Sequence, residues 1–183
     1  MLDICTTFKI NDSEFQELEE SFGKLCWHAA HELKKKNSKN NYTDEAEDIH
    51  QNLIIDLMRA GSYTKRQRYI EKCLEVSKKY AKDNFMKSIL RELNKLWLNR
   101  TRHGANRQKF GKFQEQLLDR IVRQIVPKAE RPDKNSPLVI DTKFTRYCKA
   151  IVWNGQKSMG KKITREKIIR SGMVSLSEYS HLS

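Results

Sequence analysis

Two short patterns on predicted helices place potential metal ligands at helical spacing. Cys26, His28 and His31 form a Cys-x-His-x-x-His pattern, and Glu47 and His50 have the Glu-x-x-His spacing of carboxylate-bridged di-iron bundles. A di-iron site needs further carboxylates and imidazoles from other helices, and a zinc site needs a fourth ligand. Neither pattern supplies these by itself, so we expect no metal site and no cofactor.

Motifs of the familiar enzyme classes are absent from the sequence. It contains no nucleophile elbow, no His-Glu-x-x-His zinc motif, no phosphate-binding lysine loop and no glycine-rich dinucleotide turn. We therefore expect a protein without catalytic activity, whose chemistry lies in binding.

Lysine and arginine are concentrated in the middle of the chain. Residues 62–131 hold 19 Lys and Arg against 7 Asp and Glu, whereas residues 1–61 hold 7 against 12 and residues 132–183 hold 10 against 4. A concentration of positive charge increases the electrostatic repulsion within the protein. Binding of a polyanion is the usual explanation for such a concentration. The alternatives are a solvated basic face and an acidic membrane surface. The residues predicted to contact phosphate are Arg66, Arg68, Lys79, Arg100, Arg102, Arg107, Lys109, Lys112, Arg120 and Arg123.

Apolar residues recur at three-and-four spacing in four stretches, which predicts four amphipathic helices. The first starts near Asn11 and ends at Lys36, and the second starts at Thr43 or Asp44 and ends at residues 60–62. One long helix is predicted from about residue 66 to residue 97. After a break at Gly104, the last helix carries Phe110, Phe113, Leu117, Ile121 and Ile125 and stops at Pro127.

These elements predict an all-α fold, a four-helix up-down bundle in residues 1–127. The polar residues 128–140 are interpreted as a linker, and residues 141–183 as a short, basic helical appendage interrupted by Gly155 and Gly160. Tyr147 and Trp153 of the appendage either stack on bases or pack against the bundle.

Four cysteines and the absence of a long apolar segment indicate the compartment. Cys5, Cys26, Cys73 and Cys148 lie far apart and form no Cys-x-x-Cys pair, so buried, reduced thiols are expected. No stretch predicts a membrane span or a signal peptide. We therefore expect a cytoplasmic protein.

The order of features over residues 42–128 resembles the accessory variability determinant proteins of diversity-generating retroelements, which are small basic four-helix bundles. The resemblance lies in Asp56-Leu-Met-Arg-Ala60, Lys65-Arg66-Gln-Arg68, Ile89-Leu-Arg-Glu-Leu93 and Gln108-Lys-Phe110-Gly-Lys-Phe113. The family usually ends its last helix with glycine and tryptophan, whereas this chain has Val126-Pro127. The resemblance implies a ring-forming homo-oligomer that binds template RNA and a reverse transcriptase.

A second resemblance is to region 2 of bacterial sigma factors, through Asp44-Glu-Ala-Glu47-Asp48-Ile49 and Ile55-Asp-Leu-Met-Arg59-Ala60. It implies binding to RNA polymerase and promoter DNA. The next predicted helix lacks that family's dense set of aromatic residues, and an acidic helix start explains Glu47 and Asp48 equally well. Our leading hypothesis is therefore an RNA-binding accessory of a reverse transcriptase, with the sigma-like factor as the alternative.

Overall fold

A computed structural model describes residues 8–37, 46–99 and 110–179, with side chains described for residues 8–36, 46–99 and 110–161. Every regular element in these residues is a helix, so the prediction of an all-α fold is confirmed. The four-helix up-down arrangement is not confirmed. The helices are α1 (Asp12–Asn37), α2 (Ala46–Tyr80), α3 (Asn84–Asn99), α4 (Lys112–Ile125) and α5 (Thr142–Tyr179), with a 3₁₀ turn at Lys128–Glu130.

Helix α2 does not end at residues 60–62 as predicted, but continues to Tyr80. A glycine inside a helix costs only about 1 kcal/mol relative to alanine. At this point Ala60 is buried and so are Lys65 and Arg66 one turn later, so tertiary packing outweighs the cost of Gly61. The predicted end of the helix at this position is wrong.

The helix predicted over residues 66–97 is instead interrupted at residues 81–83. Asp83 begins the next helix as its cap, because its Oδ1 accepts a hydrogen bond from the backbone N–H of Met86 at 2.7 Å. Similar side-chain caps start two other helices. Asn11 and Glu14 form a reciprocal capping box at α1, which starts near Asn11 as predicted, and Asp141 accepts from the N–H of Phe144 at α5.

The chain divides into two compact units. The first, residues 1–9 and 62–138, contains the second part of α2 with α3 and α4, and we call it the basic unit. Its core is built from the inward faces of these helices together with Phe8. Its buried members include Ile70, Leu74, Leu90, Leu93, Trp97, Phe110, Leu118, Ile121 and Val126.

The segment after α4, predicted to be a linker, contacts the basic unit at several points. Arg131 donates to the carbonyl oxygens of Val126 and Arg123 at 3.0 and 2.7 Å, and Glu130 accepts from Lys79 and Tyr80. Leu138 is buried. The polar composition of residues 128–138 therefore supports hydrogen bonds along the surface of this unit.

The second unit, residues 10–61 and 139–183, contains α1, the first part of α2 and α5, and we call it the near-neutral unit. Helix α1 packs against α5, where Phe22 and Phe144 meet edge to face at 6.4 Å and the amide of Gln156 donates to the carbonyl oxygen of Ala29 at 3.0 Å. The residues predicted as an appendage thus supply a core helix. The independence of residues 1–127 as a domain stays a prediction.

Gly155 and Gly160 do not interrupt α5, contrary to the sequence interpretation. A Cβ atom at Gly155 would lie 2.8 Å from Cδ2 of the buried Leu53, and a Cβ at Gly160 would lie 3.5 Å from Cδ1 of Leu33. Gly155 is therefore where α5 comes close to the first part of α2, and its lack of a side chain serves packing.

Candidate nucleic-acid interface

The positive charge of the chain belongs almost entirely to one compact unit. The basic unit holds 21 Lys and Arg against 9 Asp and Glu, a net charge of +12, whereas the near-neutral unit holds 15 against 14, a net charge of +1. The two values together give the +13 of the whole chain. A binding surface for a polyanion is therefore to be sought on α3, α4 and the second part of α2.

The carboxylates of α4 are directed toward the inside of the basic unit. Glu115 accepts from Nε and Nη2 of Arg66 at 2.9 and 2.8 Å, and Asp119 accepts from the hydroxyl of Tyr69 and from Lys134. Burial, with the hydrogen bond to Asp119, raises the pKa of Tyr69, so the phenol stays neutral and acts as the donor. These contacts neutralise the acids of α4 internally.

Apart from Phe113, the exposed side chains of α4 are cations and amides. Lys112, Arg120 and Arg123, all predicted to contact phosphate, are exposed there together with Gln116 and Gln124. Because the two carboxylates of the helix are paired inside, they do not offset this positive face.

A groove between α2 and α3 brings three further cations together. Lys78 comes from the end of α2, and Lys87 and Arg91 come from successive turns of α3. Asn94 lies beside them and accepts a hydrogen bond from Nζ of Lys78 at 3.1 Å. The groove has a volume of about 420 Å³, and Ala81 and Leu90 complete its lining. None of the described residues that line it is acidic, so we call it the cationic groove.

The break at residues 81–83 creates this groove. In one continuous helix, Lys78 and Asn94 would be separated by 16 residues, or about 24 Å at 1.5 Å per residue. The observed 3.1 Å contact is possible only because Asp83 starts a new helix that folds back on α2. The same fold places Lys87 and Arg91 beside Lys78.

Farther from the α2–α3 connection, the surface between the two helices also carries acidic side chains. There the lining consists of Glu71, Glu75, Leu74, Trp97 and Leu98, with Lys78 and Asn94 shared with the cationic groove. Two carboxylates at this end disfavour an anion. The cationic groove is therefore limited to the end of the two helices near the α2–α3 connection.

The structure separates the residues predicted to contact phosphate into different environments. Arg66 is buried, paired with Glu115 and bonded to the carbonyl oxygen of Phe110 at 3.3 Å, so its guanidinium is committed to the fold. Lys79 is exposed but bonded to Glu130 at 3.0 Å, and Arg68 is partly buried. Residues Arg100, Arg102, Arg107 and Lys109 lie outside the described part of the chain.

Sequence reasoning missed Lys78, Lys87 and Arg91. Assigning residues 66–97 to one helix placed Lys78 far along the chain from the other two. Two signals could have found them. Asp83 is of a type preferred at helix N-caps, and Lys87 and Arg91 are four residues apart and so share one face of a helix.

The candidate metal ligands are dispersed in the near-neutral unit. The ring of His50 stacks on that of Trp27 at 4.2 Å, His31 stacks on the same indole at 5.5 Å, and Cys26 is buried. Within the described residues, no three His, Cys, Asp or Glu side chains are placed to share a metal ion.

The cysteines of the described part are buried and free. Burial raises the pKa of the Cys26 and Cys73 thiols to about 11 and that of Cys148 to about 12. These three match the prediction of buried, unpaired thiols, and Cys5 lies outside the described residues. At neutral pH their thiolate fraction, and hence their nucleophilicity, is small.

Comparisons of the chain with family models, with curated proteins and with solved structures found no match. Across the described residues, no helix combines the length and the apolar character needed to cross a membrane.

Proposed function

We propose that this protein is a non-catalytic accessory that binds nucleic acid, RNA in preference to DNA, through the surface of its basic unit. The cationic groove carries this proposal. Lys78, Lys87 and Arg91 converge there without an acidic neighbour in the lining, and a phosphate would relieve the repulsion between them.

The outward face of α4 extends the proposed surface. Lys112, Arg120 and Arg123 are exposed on that helix, and the carboxylates of α4 are paired inside the unit. A polyanion reaching both helices would meet these cations on α4 and those of the cationic groove on α3. The exposed charges of α4 are all positive, whereas an ordinary solvated surface intersperses both signs.

The test is a salt titration of the binding of a structured RNA, measured by fluorescence anisotropy. If 6 to 10 phosphates are neutralised, affinity should fall by about 10³- to 10⁵-fold between roughly 50 and 200 mM salt. The variant Lys87→Glu with Arg91→Glu should bind weakly and should reduce the slope of log affinity against log salt by at least about 1.4, since each lost contact contributes about 0.7 to 0.9.

A matched control is Lys143→Glu with Lys149→Glu, which makes the same change in net charge on the exposed surface of α5 in the near-neutral unit. It should keep most of the affinity and the salt slope. Equal losses in the two double variants would mean that net charge alone drives binding, and the groove would lose its assigned role. The triple variant Arg100→Glu, Arg102→Glu and Arg107→Glu measures the contribution of the residues outside the described part.

We further propose that the protein serves a reverse transcriptase of a diversity-generating retroelement. The resemblance over residues 42–128 supports this, together with the basic surface that a template-binding partner needs. Co-purification with a reverse transcriptase, and a discrete oligomer in light scattering with and without RNA, are the expected results. Co-purification with RNA polymerase and binding to promoter DNA would instead favour the sigma-like factor.

A further inference from the structure

A second groove of the basic unit has an aromatic character. It lies between α3 and α4, with a volume of about 300 Å³, and the side chains of Phe85 and Phe113 both line it. Phe85 is 75% exposed and Phe113 is 71% exposed. We call this groove the phenylalanine cleft. Most of its remaining lining consists of the aliphatic side chains of Ile89, Leu93, Leu96 and Leu117.

The exposure of the two rings contrasts with the rest of the same helices. On α3 the side chains of Leu90, Leu93 and Trp97 are buried, and on α4 those of Leu118, Ile121 and Val122 are buried. Phe113 was expected in the buried stripe of its helix, and the structure places it in solvent instead. Two large aromatic side chains beside one apolar cleft are a feature of ligand-binding surfaces.

Helix α3 carries the phenylalanine cleft on one flank and the cationic groove on the other. Phe85, Ile89 and Leu96 line the cleft, whereas Lys87 and Arg91 line the groove. At 100° per residue, Lys87 lies about 200° around the helix from Phe85. A ligand that crosses the outer surface of α3 therefore meets cations on one side and aromatic rings on the other.

The positive surroundings extend to the α4 side of the cleft. Lys112 precedes Phe113 in sequence, and Arg120 follows it by two helical turns, with both cations exposed. The one carboxylate among the lining residues is Glu92, and it is bonded to Lys95 at 2.6 Å. Charge complementarity thus favours an anionic ligand with flat, apolar rings.

We propose that the phenylalanine cleft stacks unpaired bases of a single-stranded nucleic acid whose phosphates lie along the cations of α3 and α4. This inference rests on the proposed function and specifies its substrate class. An aromatic ring stacks on the face of any base, so the cleft gives no sequence preference. In a duplex those faces are already stacked on neighbouring base pairs, so the cleft selects single strands or unpaired loops.

The test compares three oligonucleotides of equal length: a single-stranded oligouridine, the same backbone with abasic positions, and a duplex. The protein should bind the oligouridine more tightly than the abasic strand, which keeps the phosphates but lacks the bases. One stacked base contributes about 5- to 150-fold in affinity. The variant Phe85→Ala with Phe113→Ala should lose that advantage and keep its affinity for the abasic strand.

The matched control is Tyr147→Ala with Trp153→Ala, which removes two aromatic side chains of α5 that are 42% and 43% exposed. It should retain the preference for bases. If this control loses the preference and the phenylalanine variant does not, stacking belongs to α5 and the proposal is overturned. Circular dichroism of each variant establishes that its helices are retained.

Three outcomes distinguish this inference from the proposed function. If no oligonucleotide binds, both fail. If the oligouridine and the abasic strand bind equally with salt-dependent affinity, nucleic-acid binding stands and the base-stacking role is overturned. If the phenylalanine variant dissociates an oligomer in light scattering but keeps the preference for bases, the cleft is an interface between copies of this chain, and the proposal is again overturned.

Discussion

The basic unit and the near-neutral unit use charged side chains in different ways. In the near-neutral unit, Lys36 with Glu32 and Arg59 with Asp56 form ion pairs within one helix, between side chains that are all more than one third exposed. In the basic unit, Arg66 and Glu115 pair across 49 residues with side chains only 10% and 16% exposed. The basic unit also has exposed pairs, such as Lys95 with Glu92 and Lys79 with Glu130, but the pair of Arg66 with Glu115 joins two helices at a largely buried position.

This difference explains how a helical unit becomes strongly positive outside without losing its fold. Exposed pairs of the first kind contribute little to stability. The buried pair of Arg66 with Glu115 joins α2 to α4, and it also removes a carboxylate from the surface. Glu115 and Asp119 are both used in this way, so the cations remaining on α4 face solvent without them.

Replacing Arg66 should have the largest effect on the basic unit. Arg66→Met leaves the carboxylate of Glu115 buried without its partner, which should destabilise the unit by about 3–5 kcal/mol. The double variant Arg66→Met with Glu115→Met replaces both charges by apolar side chains and should recover most of that loss. Denaturant unfolding of the two variants beside the unaltered protein measures both effects.

The same double variant tests whether Arg66 also contacts phosphate, as the sequence suggested. A folded double variant should bind RNA with unchanged affinity and salt slope, because the guanidinium is committed to Glu115 and Phe110. A reduced slope in that folded variant would return Arg66 to the binding surface. If the double variant were no more stable than Arg66→Met, the unpaired carboxylate of Glu115 would not be the cause of the loss of stability.

A smaller effect is expected in the near-neutral unit, where close packing replaces charge. Gly155→Ala and Gly160→Ala make the same chemical change on the same helix, and alanine favours a helix by about 0.5–1 kcal/mol in both. Only at Gly155 does the new Cβ fall within 3 Å of a buried side chain, that of Leu53. Overpacking of this kind costs about 1–3 kcal/mol.

The two glycine variants should therefore shift the unfolding midpoint in opposite directions. Gly160→Ala should raise it, because its Cβ meets Leu33 at an ordinary contact distance of 3.5 Å. Gly155→Ala should lower it, because the cost of overpacking less the gain in helix propensity leaves a net loss of up to about 2.5 kcal/mol in the free energy of unfolding. An increase in both variants would show that α5 and the first part of α2 can move apart at no cost.

Part of this architecture is present in local sequence. The all-α class follows from apolar periodicity, and the predicted start of α1 near Asn11 is confirmed, where Asn11 caps the helix. The end of α2 was misplaced because a glycine is a weak signal that packing can override, whereas the stronger signal, Asp83 as a cap, lay in a stretch of continuous apolar periodicity. Helix boundaries of this kind depend on contacts that local sequence does not contain.

The sequence predicts those residues of the candidate site whose exposure depends only on their position on one helix. Exposed cations such as Lys112, Arg120 and Arg123 follow from their position opposite the apolar stripe of α4. The burial of Arg66 depends on its ion pair with Glu115, 49 residues away, and the proximity of Lys78 to Asn94 depends on the reversal of the chain at residues 81–83. Both are contacts between residues distant in sequence, which periodicity and composition do not encode.

The smallest effect concerns the pH dependence of the near-neutral unit. His50 is buried against Trp27, and its Nε2 lacks a hydrogen-bond partner in the described part of the structure. Burial lowers the pKa of His50 below its usual 6.5, and the negative charge of Glu19 partly opposes this shift. The unfolded chain therefore binds a proton at a higher pH than the folded one, so the contribution of neutral His50 is complete above about pH 6.5 and decreases as the pH falls through that value.

His50→Phe keeps an aromatic ring against Trp27 and removes the titration. The decrease in the urea midpoint between pH 7.5 and pH 5.5 should be smaller in this variant than in the unaltered protein, whereas His28→Gln, at an exposed position of α1, should leave the decrease unchanged. Carboxylates that titrate in the same range are common to all three proteins and cancel in the comparison. An identical decrease in the His50 variant would mean that the imidazole is charged in the folded state, with Glu19 outweighing burial.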